Sequence, residues 1–340
     1  MGNVGEACTD YATDRELPSR LHFRHSHVRR EIGLRLAAGW YIALRSDELT
    51  SEPWALTLFG RRLVAWRDGH GTALIRQRHG TPGSAGVTGH DVDGPPPRWR
   101  DYPVVERYGY VWAWYGGSEP AYALPRVPAL DGDRRGYLTY RFSHTTPAPP
   151  RRILENAFDF YHFLFLHRVR SRVPMDMTVL SDQRAAAENG PPIPHDAWFG
   201  AQLTARGLHI PQPFRAFGLR TERSDVLVDS WPTGQRLTFL LDGRVVAKEL
   251  LGVTPVDAGR TIMRGWTLVA RTGHPLRDVL TYLGYRTQHR RGTREDLVIY
   301  RHASETDAVV PVRYDHGVLR FRKFHARWAE HADRAESDAR

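Results

Sequence analysis

From Gly39 onward the hydrophobic and polar positions fall into short, strand-like runs. Trp40-Tyr41-Ile42-Ala43-Leu44 is rich in β-forming residues. Ala55 to Phe59 and Leu63 to Trp66 flank Gly60-Arg61-Arg62, and Tyr102 to Glu106 and Tyr110 to Trp114 flank Arg107-Tyr108-Gly109. Apolar runs separated by glycine-bearing turns predict hairpins. The pattern predicts a small antiparallel β domain over residues 38–118. Residues 1–37 precede it as a tail and lead-in. Residues 119–136 follow as a linker, with Pro120, Pro125, Pro128 and Gly132.

The second half, 137–340, reads as one larger domain. Tyr137 to Phe142 alternates like a strand. Asp225–Trp231, Arg236–Leu241, Arg244–Thr254 and Thr261–Ala270 form a meander with turns at Pro232-Thr233-Gly234 and Asp242-Gly243. Helical patterns cover about 275–303, with an interruption expected near Gly292, and about 317–336. Residues 170–196 are rich in Arg, Pro and Gly, and a connection this long is a lid beside a site or a mobile surface loop. The fold class is α+β.

One run breaks the apolar pattern. Glu155 to His167 carries Glu155, Asp159, His162 and His167 among mostly apolar residues and predicts a buried helix. Buried polar groups need partners, and neutral imidazole is the commonest metal ligand. Asp159 and His162, three apart, share a helix face. His162 and His167, five apart, diverge by about 140° on an ideal helix. Both reach one ion only if the helix widens, as in a π-bulge, or ends near His167. Two satisfied core histidines are the alternative.

Glu-Asn-x-x-Asp-x-x-His-Phe-x-x-x-His, here Glu155 to His167, resembles the mononuclear-iron motif of the Rieske non-haem iron oxygenases. The resemblance implies that His162 and His167 are Fe(II) ligands, completed by a late carboxylate in a facial triad with positions open for O2. Asp159 matches the carboxylate that orients a ligand histidine and links it to a neighbouring subunit's cluster, and Asn156 belongs to the same motif. Asp296, in Glu295-Asp296-x-x-Ile299-Tyr300-x-His302, is the best third ligand. Glu295, Asp307 and Asp315 compete with it. With Pro311, Asp315-x-Gly317 and Leu319-Arg320-x-Arg322-Lys323-Phe324, the late region is similar to 3-ketosteroid 9α-hydroxylase oxygenase components and cholesterol 7-desaturases. The family's catalytic domain is an antiparallel sheet wrapped around helices, a helix-grip arrangement, and the strand and helix pattern agrees.

The β domain resembles the family's Rieske domain at Gly39-Trp40-Tyr41 to Ser46-x-Glu48-Leu49 and at Tyr102-Pro103-Val104 to Trp114. A Rieske cluster needs two Cys and two His on two loops. Between Asp68 and Tyr102 there is no cysteine, and His79 and His90 are the candidates for a remnant ligand. The sole cysteine is Cys8, too far away in the chain to replace two. A Rieske-like fold without a 2Fe-2S cluster is expected.

Composition narrows the partners. The chain has 340 residues, 41% hydrophobic and 25% charged, with a net charge of +10. Of 48 basic residues only Lys248 and Lys323 are lysines. The arginines are scattered, which favours an acidic redox partner or a solvated surface over nucleic acid. One cysteine excludes an intramolecular disulfide. No signal peptide or bilayer-length apolar run is present, so a cytoplasmic protein is expected. The expected function is O2-dependent hydroxylation or desaturation of a small apolar, steroid-like or polycyclic substrate. Electrons would come from a ferredoxin/reductase or a cluster-bearing homologous subunit, within a trimer or hetero-oligomer. The alternative is a non-catalytic subunit or pseudoenzyme that binds an apolar ligand or a catalytic partner.

Overall fold

Seven strands build the N-terminal lobe: β1 (Gly39–Arg45), β2 (Trp54–Leu58), β3 (Arg61–Arg67), β4 (Ala73–His79), β5 (Arg98–Tyr102), β6 (Val104–Arg107) and β7 (Tyr110–Tyr115). They form two antiparallel sheets, β1-β7-β6 and β2-β3-β4-β5. The computed structural model describes residues 35–79, 98–132, 134–159, 162–167, 175–207, 221–303 and 315–338. Contacts divide the chain into Met1–Ile32, outside those residues, and Gly33–Arg340. Cys8, His90 and Asp307 also lie outside them, as does most of the expected lead-in. His79 closes β4.

The hairpin turns account for the strand boundaries. Phe59-Gly60 and Tyr108-Gly109 both have positive φ at both residues, 60° and 70° in the first, 61° and 72° in the second. That conformation matches the right-handed twist of the flanking strands. It strains a phenylalanine, but the Phe59 ring is wedged against Tyr41, Tyr102 and Tyr115, with centroids 4.9–5.8 Å away. At Gly109 a Cβ would come within 2.1 Å of the Arg141 guanidinium.

The chain then passes through α1 (Pro128–Asp131) into the larger lobe. This comprises β8 (Tyr137–Thr146), α2 (Pro150–Glu155), β9 (Asp176–Leu180), β10 (Phe199–Arg206), β11 (Arg223–Trp231), β12 (Gly234–Leu241), β13 (Arg244–Asp257), β14 (Arg260–Ala270), α3 (Pro275–Tyr300) and α4 (His316–Asp338). The strands form one antiparallel sheet, β8-β14-β13-β12-β11-β10-β9. Tyr140, Thr267, Glu249, Leu237, Val228, Ala201 and Val179 pair in a line across it and share one face, since directly opposed residues do. On this inner face α3 lays Tyr282 and His289 against Tyr140, and Tyr285 against Phe239. Helix α4 buries Phe321 against Phe158 and Phe199 and reaches the N-terminal lobe, where Ala38 N–H donates to Trp328 O at 2.9 Å. Among the described residues no helix is long and apolar enough to cross a membrane.

Three expectations need correction. The Glu155 to His167 run is not one helix. After α2 and a single 3-10 turn, Asp159 adopts an extended conformation (φ −93°, ψ 103°), so Asp159 and His162 do not share a regular helix face. Helix α3 runs through Gly292 without a break, because one glycine costs a helix only about 1 kcal/mol and tertiary packing supplies more. The segment 170–196, expected as a lid or a mobile surface loop, contains strand β9 and a covering loop in its described residues, 175–196. Its Pro191 carbonyl accepts from Arg236, and the Trp198 indole that follows it donates to Asp229 Oδ1 at 2.8 Å. Arg236 and Asp229 pair directly with each other one strand apart, on the sheet face away from Glu249. Their carboxylate and guanidinium, 3.0 Å apart and both 2% exposed, need this covering loop to supply hydrogen bonds that water cannot.

Candidate metal centre

Helix α2 starts on Pro150, with the preceding Pro149 holding extended backbone, a favoured entry to a helix. Its last residue, Glu155, is buried and meets Arg151, Arg152 and Arg322. Three guanidiniums satisfy it, so this carboxylate ties α2 to α4 and is not available for an ion. The chain then turns outward at Asp159, whose Oδ1 accepts from the His162 backbone N–H at 3.2 Å. Thus Asp159 fixes the start of the next turn.

That turn is a π-helix, His162–Leu166. The His167 N–H donates to the His162 carbonyl at 3.3 Å, spanning five residues instead of four. The widened turn brings two side chains that an α-helix would splay apart onto one side. The imidazole centroids lie 4.4 Å from each other. The backbone therefore meets the geometric condition that the five-residue spacing imposed.

Asp296 comes from the last turns of α3. Its Oδ1 lies 2.8 Å from His162 Nε2 and 3.3 Å from His167 Nε2. Ligand-capable atoms of His162, His167 and Asp296 all lie within 4.8 Å of one another. Asn156 adds its amide nitrogen, 3.0 Å from His162 Nε2 and 3.4 Å from Asp296 Oδ1. All five residues singled out in the sequence, Asn156, Asp159, His162, His167 and Asp296, thus gather here.

The donor set fits a divalent cation. His162 Nε2 faces an amide that offers a proton and a carboxylate that demands one, and a single ring nitrogen cannot answer both. The other ring nitrogen, Nδ1, is buried with no hydrogen-bond partner among the described residues. Two imidazoles and a carboxylate are the set used for mononuclear non-haem Fe(II). Burial opposes charge on His167, but hydrogen bonds to Asp296 and Glu295 outweigh it and raise its pKa. Burial would likewise raise Asp296; its bonds to His162 and His167 outweigh that, and it is lowered.

Glu295 competes with Asp296 in the sequence as the third ligand, and its part beside His167 could not be read there. Its Oε2 instead accepts from His167 Nδ1 at 2.9 Å, and its other oxygen accepts from Arg291 at 3.1 Å. The adjacent Glu-Asp pair splits the work, because neighbours on a helix point about 100° apart. Asp315 lines a cavity of about 530 Å³ together with Asn156, Asp159, His162, Arg152 and Arg322.

No family model matches the chain. Aminopyrrolnitrin oxygenase PrnD of Pseudomonas fluorescens is 30% identical over 335 residues, covering 87% of this chain and 92% of the relative. The oxygenase component of 3-ketosteroid-9-alpha-monooxygenase from Rhodococcus rhodochrous is 23% identical over 170 residues, 40% of this chain and 44% of the relative. Among solved structures, dicamba monooxygenase bound to 3,6-dichlorosalicylic acid superposes with a TM-score of 0.62 at 16% identity, covering 87% of this chain and 98% of that one. NdmB of Pseudomonas putida CBB5 superposes with a TM-score of 0.57 at 16% identity, covering 84% and 89%. These superpositions show a shared α+β fold, and the match to PrnD spans nearly both whole chains. This chain belongs to the Rieske non-haem iron oxygenases, an oxygenase-type enzyme family.

Proposed function

We propose that this protein oxidises a ring-containing apolar substrate with O2 at a mononuclear Fe(II) held by His162, His167 and Asp296. The observation that carries the reading is the convergence of these three side chains from a π-turn and a distant helix. Bound there, Fe(II) would supply open positions for O2 and the redox capacity to activate it. The chain's own residues supply the rest. Glu295 holds His167 in the tautomer that presents Nε2 to the ion, and Asp159 anchors the His162 backbone. Asn156 lies within hydrogen-bond distance of both His162 and Asp296.

Inserting one oxygen atom of O2 and releasing the other as water takes two electrons and two protons from outside. Residues 38–118 contain no cysteine, so this lobe cannot ligate a Rieske cluster. We infer that a separate partner delivers the electrons, either a ferredoxin-type donor or a cluster-bearing homologous subunit. The cavity beside His162, lined by Asp159, Asp315, Arg152 and Arg322, is the side from which such a donor would approach. The relative that spans most of the chain is named for aminopyrrolnitrin, while the ketosteroid relative matches less than half. We therefore favour a compact, amine-bearing aromatic substrate over a steroid.

The missing cysteines also favour a second reading, a non-catalytic subunit. Anaerobic reconstitution separates the two. The catalytic reading expects close to one Fe(II) per chain in the wild type and none in His162→Ala, with O2-dependent turnover once an electron donor is added. A wild-type chain that takes up no iron would leave the non-catalytic reading standing.

A further inference from the structure

Helix α3 carries leucines on the side that a helix packed on a sheet ordinarily keeps polar. Its inner face packs Tyr282 and His289 on Tyr140 and Tyr285 on Phe239, and brings Asp296 to the metal centre. Leu276, Leu280 and Leu283 each stand two positions before a residue of that inner stripe, Asp278, Tyr282 and Tyr285. Two positions on a helix are about 200° apart, so the leucines face solvent.

Among the described residues seven large hydrophobic side chains are exposed, and six of them are on α3: Leu276, Val279, Leu280, Leu283, Val298 and Ile299, each 45% to 64% exposed. Hydrophobic residues scattered singly over a surface need no explanation, but a contiguous group marks an interaction site. Leu276, Val279, Leu280 and Leu283 are contiguous, since residues three and four apart are neighbours on a helix.

The exposed charges of α3 are of one sign. Arg277, Arg291 and Arg294 are exposed, while the helix's three acids are committed inward. Asp278 accepts from Thr272, Glu295 accepts from His167, and Asp296 faces both imidazoles. The Arg271 N–H donates to the Gly136 carbonyl at 2.9 Å. That bond sets the exposed Arg134 at the same end of the helix as Leu276. The leucine patch therefore has Arg134, Arg271 and Arg277 at one end and Arg291 and Arg294 beyond the other.

An aliphatic patch between arginines suits an anionic bilayer better than an acidic protein. Protein interfaces concentrate their energy in Trp, Tyr and Arg seated in pockets, with Leu and Val under-represented. The aromatic rings of this half of α3, Tyr282 and Tyr285, are turned to the sheet. Protruding leucines need no matching pocket in lipid. They insert below the headgroups while arginines reach the phosphates.

We propose that the outer face of α3 docks the protein on an anionic membrane surface, with Leu276, Leu280 and Leu283 inserted among the acyl chains and Arg277, Arg291 and Arg294 on lipid phosphates. The same helix then places the candidate metal centre one helix diameter, about 10 Å, from the lipid. The docking does not depend on what that centre does.

The test is cosedimentation of the full chain with vesicles, without added metal. The wild type should bind phosphatidylcholine vesicles containing about 30% phosphatidylglycerol at least tenfold more tightly than pure phosphatidylcholine vesicles, and about 0.5 M salt should remove most of that difference. Leu280→Gln combined with Leu283→Gln should weaken binding to the anionic vesicles by more than about tenfold. Arg277→Gln combined with Arg294→Gln should weaken it by about the same factor. Both double variants should keep the wild-type urea midpoint, because the positions are exposed. No binding to the anionic vesicles, or binding that the leucine variants leave unchanged, would overturn the proposal. A wild-type dimer in analytical ultracentrifugation that the leucine variants dissociate would also overturn it and make this face a contact between copies. Binding of an acidic [2Fe-2S] ferredoxin in place of the vesicles would overturn it in favour of a protein partner.

Discussion

His167 Nδ1 donates to Glu295 Oε2 across 2.9 Å, so a carboxylate one residue away from a proposed ligand holds the ring of another. Outer partners of this kind set the tautomer and basicity of a metal-bound imidazole. Glu295→Gln should therefore weaken Fe(II) or Co(II) affinity by about 10- to 100-fold while His162→Ala and Asp296→Ala abolish tight binding. Anaerobic metal titrations followed by the Co(II) absorption bands check the ranking. Equal losses in all three variants would mean that Glu295 is itself a ligand.

Gly292 offers a counterintuitive substitution. It lies in the middle of α3 with ordinary helical backbone, and an added Cβ would meet His167 Cε1 at 3.5 Å, a normal contact distance. Gly292→Ala should raise stability by up to about 1 kcal/mol, the propensity difference between the two residues in a helix, and leave metal affinity within about twofold. Gly292→Leu should instead displace the His167 ring and lower metal affinity. Urea unfolding and metal titration of both variants separate the backbone effect from the steric one.

The C-terminal end of α4 is fastened to the N-terminal lobe by Glu336, which meets Arg61 and Arg100 with its side chain 13% exposed. Burial pushes this carboxyl up, but hydrogen bonds from Arg100 and Arg61 outweigh it and its pKa is lowered. A lowered folded pKa means that the stabilisation is present above the ordinary carboxyl range and is lost as pH falls below it. Glu336→Gln should cost about 3 kcal/mol near neutral pH and much less near pH 3. Denaturant midpoints at the two pH values test this; an equal loss at both would exclude the charge as the cause.

His325 supplies a second acid-sensitive element with the opposite chemistry. Burial, helped by Arg151 and Arg35, pushes its pKa down to about 3. An unfolded chain binds a proton near pH 6.5 that the folded chain refuses until near pH 3, so stability falls as pH drops through that window. The slope is at most about 1.4 kcal/mol per pH unit. His325→Phe should flatten the stability profile between pH 6 and 4, as read from urea unfolding at several pH values.

The strands and the pairing of His162 with His167 were legible in the sequence because both depend on short spacings, whereas Asp296, far along the chain, was reached through the family resemblance. Two-residue alternation and glycine turns locate β2, β3, β7 and β11 to β14, and the five-residue gap between His162 and His167 demands the widened turn that is present. What the sequence hid are long-range pairings. Nothing near Glu295 shows that it will face His167, and nothing near Glu249 in β13 shows that it will face Tyr285 and His289 from α3. The segment 170–196 read as a lid or a mobile surface loop because polar, proline-rich sequence does not reveal which face of a sheet it covers. Gly292 looked like a break because propensity alone ignores the packing on either side of it.

Strand β1 ends its sheet, and an unpaired strand edge ordinarily invites stray association. Here threonine hydroxyls from the larger sheet close it: Thr254 Oγ1 donates to the Ile42 carbonyl at 2.9 Å, and Thr233 Oγ1 to the Trp40 carbonyl at 2.5 Å. The turn at Phe59-Gly60 adds two backbone bonds to Pro255 and Val256. These four hydrogen bonds hold the N-terminal lobe against the larger sheet, and cutting the lobe away would expose the flank it shields.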